Sequence, residues 1–172
     1  MDYRKALKEM IDYFYVDVVE EFKEVELRIS QESRFSMLTK KKDYLGNAEL
    51  MRKARKGTQV INTQDVDIPA WDEATKKLNL QFEKSILVFN KLCDGYVQLQ
   101  LMLNDKAEGE KVPWHTYKGV YNDLMKVRAD MNRQLHDLDV LYTELDESLA
   151  REEKPAEETE EVPSVLTYDD IK

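Results

Sequence analysis

The stretch LNLQFEKSILVFNKLCDGYVQLQLML, residues 78–103, decides the fold. Its Leu78, Phe82, Ser85, Phe89, Leu92, Tyr96, Leu99 and Leu103 alternate steps of four and three, which keeps these side chains on one stripe of an α-helix. A stripe sustained this long is a bundle or coiled-coil seam. The helix is predicted to begin near Pro69, in a first turn where a missing N–H costs nothing, with Asp67, Asp72 and Glu73 near the positive end of its dipole. Downstream, residues 104–112 carry Gly109 and form a short link. Pro113 then opens a second long helix striped by Leu124, Val127, Met131, Leu135, Leu138, Tyr142, Leu145 and Leu149. A short link between two long helices predicts an antiparallel hairpin, each arm roughly 35 residues and about 50 Å long.

Upstream, Leu7, Ile11, Phe14, Val18, Phe22, Val25 and Ile29 hold helical spacing over six turns and predict a long amphipathic helix. Residues 11–19 are rich in the aromatic and β-branched types that suit strands, but they lack two-residue alternation and are flanked by charged helix formers. From Arg34 to Lys56 the pattern weakens. Phe35, Leu38, Leu45, Ala48 and Met51 fit one helical face, and Gly46-Asn47 is either a break or a turn within that helix. Residues 57–67 read as a polar loop, longer than the usual ~4–6 residues, whose expected task is to span a distance rather than to bind. Gly95 and Gly119 fall inside helical patterns, where each costs about 1 kcal/mol relative to Ala unless close packing or a bend needs it. Ile68-Pro69-Ala70-Trp71 and Val112-Pro113-Trp114 look alike, as two helix starts fixed by apolar contacts across the first turn. Two copies are too few for a solenoid.

The 172 residues are 42% hydrophobic and 35% charged with a net charge of -9, enough to build one core beneath a heavily ionised surface. A chain of this size buries roughly two-thirds of its unfolded surface and needs no staples. The single cysteine, Cys93, excludes a disulfide framework within one chain and a Cys-rich zinc module, and it suits a reducing, cytoplasmic setting. The first residues contain no apolar h-region and no apolar run approaches membrane-spanning length, so neither a signal peptide nor a membrane partner is expected. After Leu149 the composition changes to Glu152, Glu153, Glu157, Glu158, Glu160 and Glu161 with Pro155 and Pro163, which cannot bury enough apolar surface to order itself. The expectation is therefore an all-α fold: an elongated bundle of three to four long amphipathic helices over residues 1–150, with a disordered acidic tail over 151–172.

Catalytic chemistry finds little footing. The two histidines, His115 and His136, have neither the Glu-x-x-His setting of a di-iron bundle nor the four-residue spacing of a zinc protease helix. No Gly-rich phosphate loop or nucleophile elbow occurs, and Cys93 beside the Leu92 and Tyr96 seam reads as a buried structural thiol. No enzyme activity and no cofactor are expected. Asp17, Glu20, Glu21 and Glu24 share a helical spacing that suits a hard cation or a nucleic-acid mimic, although a solvated face is the commoner meaning.

Two features point to partners. Residues 34–56 carry a net charge of +6 inside an acidic protein, and Lys40, Lys41, Lys42, Arg52, Lys53, Arg55 and Lys56 form a candidate polyanion site. Pairing with acidic neighbours or with the tail is the competing explanation for the same charges. The less polar segment 162–172 offers Val165, Leu166, Tyr168 and Ile171 as the anchors of a linear motif for a protein partner. The functional expectation is a non-catalytic interaction or adaptor protein, with room for a homodimer; the alternative is a nucleic-acid-binding regulator using the basic segment.

Overall fold

The computed structural model describes residues 2–35 and 42–153, and among these every regular element is helical, with no strand. Helix α1 (Tyr3–Tyr13) passes through a π-helical segment (Phe14–Val19) into α2 (Glu20–Phe35), forming one continuous rod. Next come α3 (Tyr44–Gly57), two single-turn 3-10 segments (Thr58–Val60 and Thr63–Asp65), α4 (Glu73–Ala107) and α5 (Trp114–Glu153). No helix of the described residues is long and apolar enough to cross a membrane.

Cross-helix contacts give the topology. Tyr3 bonds Asp72 just before α4, Phe14 meets Phe82 and Phe89, and Phe22 meets Phe89 and Tyr96, so the rod runs parallel to α4. In α5, Gln134 bonds Gln81 and Glu152 bonds Arg4, so this helix runs antiparallel to both. In α3, Asn47 bonds Gln100 and Arg55 pairs with Asp94, which makes it antiparallel to α4 as well. The result is an up-down-up-down four-helix bundle. Its α4–α5 hairpin, with Gly109 in the left-handed region at φ 96°, is the antiparallel arrangement that the short link predicts.

Helix α3 is the short member. It stops beside Val18 and Asn90, leaving about 25 Å of bundle before the level at which α4 begins. Residues 58–72 cover that distance, burying Thr63 and Val66 and anchoring through Thr63 Oγ1 to Glu83 at 2.8 Å. Spanning is therefore what the polar loop does.

The π segment sets the register of the core. On α4 the aromatic residues recur every seven positions, at Phe82, Phe89 and Tyr96. Phe14 and Phe22, which pack between them at centroid distances of 5.4 to 5.7 Å, are eight apart. In an uninterrupted α-helix an eighth residue points roughly 80° away from the first. The wider turn, marked by the Glu20 N–H bonding to the Tyr15 carbonyl, absorbs the extra residue and brings Phe22 back over α4. It also lets the adjacent Val18 and Val19 both face inward. The β-rich composition of residues 11–19 thus produces neither a strand nor a uniform α-helix.

Several boundaries differ from expectation. The stretch 34–56 is not one helix: α2 ends at Phe35 and α3 begins at Tyr44 after Asp43, whose carboxylate accepts from the Gly46 N–H at 2.9 Å. Gly46-Asn47 accordingly lies in the capped first turn of α3 and does not break it. Pro69 precedes α4 rather than opening it, because Asp72 takes the cap, accepting from the Thr75 N–H and hydroxyl at 3.0 and 2.7 Å. Burial opposes the Asp72 charge, but the Thr75 and Tyr3 hydrogen bonds and nearby Arg4 outweigh it and hold this carboxyl below its usual range. The two similar helix starts also diverge: Trp114 stacks on Tyr117 across the first turn, whereas Trp71 lies before α4 and is 77% exposed. Leu38 and the acidic segment beyond Glu153 lie outside the described residues.

Candidate functional site

A helix bundle uses its apolar seams for folding, so a surface for something else is marked by large apolar groups that the seams leave out. At the end of the bundle where α5 begins, Trp114, Tyr117 and Tyr121 occupy positions i, i+3 and i+7. They stack in succession at 5.5 and 6.2 Å with ring planes 25° and 17° apart. Trp114 is 69% exposed, and Tyr121 is exposed as well. Across a groove of about 420 Å³ between α5 and α2 stands Leu27, 59% exposed and one step off the α2 seam. Leu99 and Leu124 lie along its floor. In the groove wall the Tyr96 hydroxyl donates to Glu26 at 2.5 Å, and Arg128 donates to the other Glu26 oxygen at 3.1 Å. Burial, then the bond to Glu26, raises the Tyr96 pKa, so its hydroxyl remains a donor across the physiological range. This triad joins α4, α2 and α5 beneath a rim of exposed hydrophobic residues.

The remaining polar clusters tie helices together. Lys8 Nζ donates to Tyr142 Oη at 2.5 Å and to Asp12 at 3.0 Å, pairs with Asp146 at 3.2 Å, and lies 4.9 Å from the Tyr142 ring centroid. The Tyr142 hydroxyl in turn donates to Asp12. The bond to Tyr142, opposed by burial and aided by the carboxylates, raises the Lys8 pKa, which makes it a poor nucleophile and a poor base. Buried Asn47 donates to Glu32 at 2.8 Å and to Gln100 at 3.4 Å, linking α3 to α2 and α4. Cys93 is fully buried, and burial, with the neighbouring Asp94 charge, pushes its thiol up to about 12.

The candidate polyanion residues divide. Lys53 pairs with Glu21 of α2, Arg55 with Asp94 of α4 at 3.3 Å, and Arg52 with Glu49 on its own helix at 3.3 Å. Lys42 and Lys56 have no partner among the described residues, and Lys40 and Lys41 lie outside them. Asp17, Glu20, Glu21 and Glu24 do not act as one cluster, since Glu20 pairs with Lys23 and Glu21 with Lys53. Among the described residues no three His, Cys, Asp or Glu side chains are placed to hold a metal ion. The motif residues Val165, Leu166, Tyr168 and Ile171 lie outside the described residues. Sequence reasoning passed over the aromatic ladder and Leu27, although the spacing 114, 117, 121 was there to be read as a second helical stripe.

The chain matches no protein-family model, no curated protein and no solved structure. The bundle and its surfaces are therefore the ground for any functional reading.

Proposed function

We propose that the chain is a non-catalytic interaction protein of the cytoplasm that docks a protein partner through the bundle surface and the C-terminal motif Val165, Leu166, Tyr168 and Ile171. The observation that supports this is the Trp114–Tyr117–Tyr121 ladder, whose last member, Tyr121, lines the α2–α5 groove together with exposed Leu27. Aromatic anchors around a concave apolar floor are the usual source of binding energy at protein interfaces, and an amphipathic partner helix fits such a groove. A second copy of the chain is the other candidate occupant. The described clusters hold helices together and leave no activated nucleophile or base facing a cavity, which favours docking over catalysis. Nucleic-acid binding through the basic segment is the weaker alternative, because Lys53 and Arg55 are engaged by acidic side chains of neighbouring helices.

The test is affinity capture from the native cell with three baits: the parent chain, Leu27→Ser with Tyr121→Ser, and a chain with Ala at Val165, Leu166, Tyr168 and Ile171. Exposed substitutions cost stability within about 0.5 kcal/mol, so all three baits should remain folded. The affinity of a captured protein is expected to fall about tenfold or more in each altered bait. An identical set captured by all three, at equal affinity, defeats the proposal.

A further inference from the structure

We infer that segment 162–172 docks in cis, into the cleft beside Trp71 at the opposite end of the bundle from the aromatic ladder. Trp71 is the most exposed large hydrophobic side chain described. It borders a cleft of about 440 Å³ lined by Leu78 of α4 and by Leu141 and Leu145 of α5, with the cations Arg4 and Lys77 and the carboxylates Asp72 and Glu144 also among its lining residues. Lys77 is exposed and has no partner among the described residues. An apolar floor and an uncovered indole suit a short peptide that carries hydrophobic residues, and unpaired Lys77 offers one carboxylate contact beside them. Val165, Leu166, Tyr168 and Ile171 supply the hydrophobic residues, and Asp169 or Asp170 the carboxylate.

Tether length selects this end of the bundle, and the uncovered Trp71 selects the cleft within it. The Arg4–Glu152 pair, at 2.6 Å, fixes the end of α5 at the same end of the bundle as Trp71. Leu145 lies about 12 Å along the helix from Glu153. Residues 154–164 span at most about 36–40 Å, so that distance is well within their reach. Tyr121 is about 48 Å from Glu153 along α5, beyond the reach of these eleven residues even when fully extended. A short tether that reaches its site supplies an effective concentration of about 1 mM, so a peptide of about 0.1 mM intrinsic affinity is seated in ~90% of molecules. This inference rests on the reading of the four residues as a binding motif. It adds that the bundle itself is the motif's first occupant, so an outside partner must displace it and binds about tenfold more weakly than the free segment would.

The experiment uses the 172-residue chain with Trp114→Phe, which leaves Trp71 as the only tryptophan. It is compared with the same chain carrying Ala at Val165, Leu166, Tyr168 and Ile171, both checked as folded by circular dichroism. Acrylamide is the quencher, because it is neutral and the tail's charge does not exclude it. Quenching of Trp71 should be roughly threefold or more weaker with the intact motif, with blue-shifted emission, and independent of protein concentration over about two decades. Equal quenching in the two chains overturns the inference. Protection that disappears on dilution also overturns it, assigning the cleft to a second copy. Equal quenching with partner capture still dependent on the four residues rejects only the cis contact, and the proposed function survives.

Discussion

Gly95 and Gly119 carry the same intrinsic helix penalty, about 1 kcal/mol each relative to alanine, but they differ in their surroundings. A Cβ on Gly95 would lie 3.0 Å from Leu124 Cδ1 where α4 meets α5, so a close approach of the two helices justifies the glycine. A Cβ on Gly119 would meet nothing within 4 Å. Gly119→Ala is therefore expected to stabilise the protein by about 0.5–1 kcal/mol in denaturant titration. Gly95→Ala should give no such gain, because Leu124 has to move. Equal stabilisation by the two substitutions would show that the approach at Gly95 is unimportant. The sequence marks both glycines as anomalies inside helices, and only the neighbour across the interface separates them.

At the scale of elements, the π segment is a register device. If its role is to absorb one residue between Phe14 and Phe22, deleting exposed Val16 should convert the segment to ordinary α-helix and keep both aromatic side chains over α4. The expected cost is about 1–2 kcal/mol, or roughly 3–8 °C in melting temperature. Inserting one alanine at the same place requires a second wide turn and should lower stability by several-fold more. Thermal melts followed by circular dichroism check both, and a deletion as damaging as the insertion refutes the role. The clue lies in the chain itself: Phe14, Val18 and Phe22 are separated by two consecutive four-residue steps, where a seam facing heptad-spaced aromatics alternates four and three. Spacing alone does not reveal the accommodation, because the partner's periodicity decides whether eight residues must do the work of seven.

For the whole molecule, one buried and two half-buried phenols make the bundle sensitive to alkali. Burial first, and then the carboxylates Asp139, Glu26 and Asp12 respectively, raise the pKa values of Tyr15, Tyr96 and Tyr142. The unfolded chain ionises these groups near pH 10, before the native state does, so above that point the unfolded state binds fewer protons and is favoured. Stability from these three tyrosines is fully present below about pH 10 and is lost as pH rises beyond it. Phenolate absorbance should therefore appear in two stages, with the second coinciding with loss of helical signal. Nine tyrosines titrating together in a folded protein would contradict the assignment.

The long seams of α4 and α5, the rod through residues 7–29 and the antiparallel hairpin were legible because helical periodicity is a local property, written in the spacing of apolar residues along one segment. The start of α3 at Tyr44 and of α4 after Asp72 turned on which of several competent caps is used, and neighbouring elements make that choice, as the Tyr3 bond to Asp72 illustrates. The basic segment was legible as charge, but whether Lys53 and Arg55 face solvent or the carboxylates Glu21 and Asp94 depended on how α3 lies against α2 and α4. Likewise, Trp71 and Trp114 have matching sequence settings. Only assembly of the bundle placed one beside the Leu78–Leu145 cleft and the other at the head of an aromatic ladder, because exposure follows from which surfaces meet in three dimensions, not from the identity of the residue.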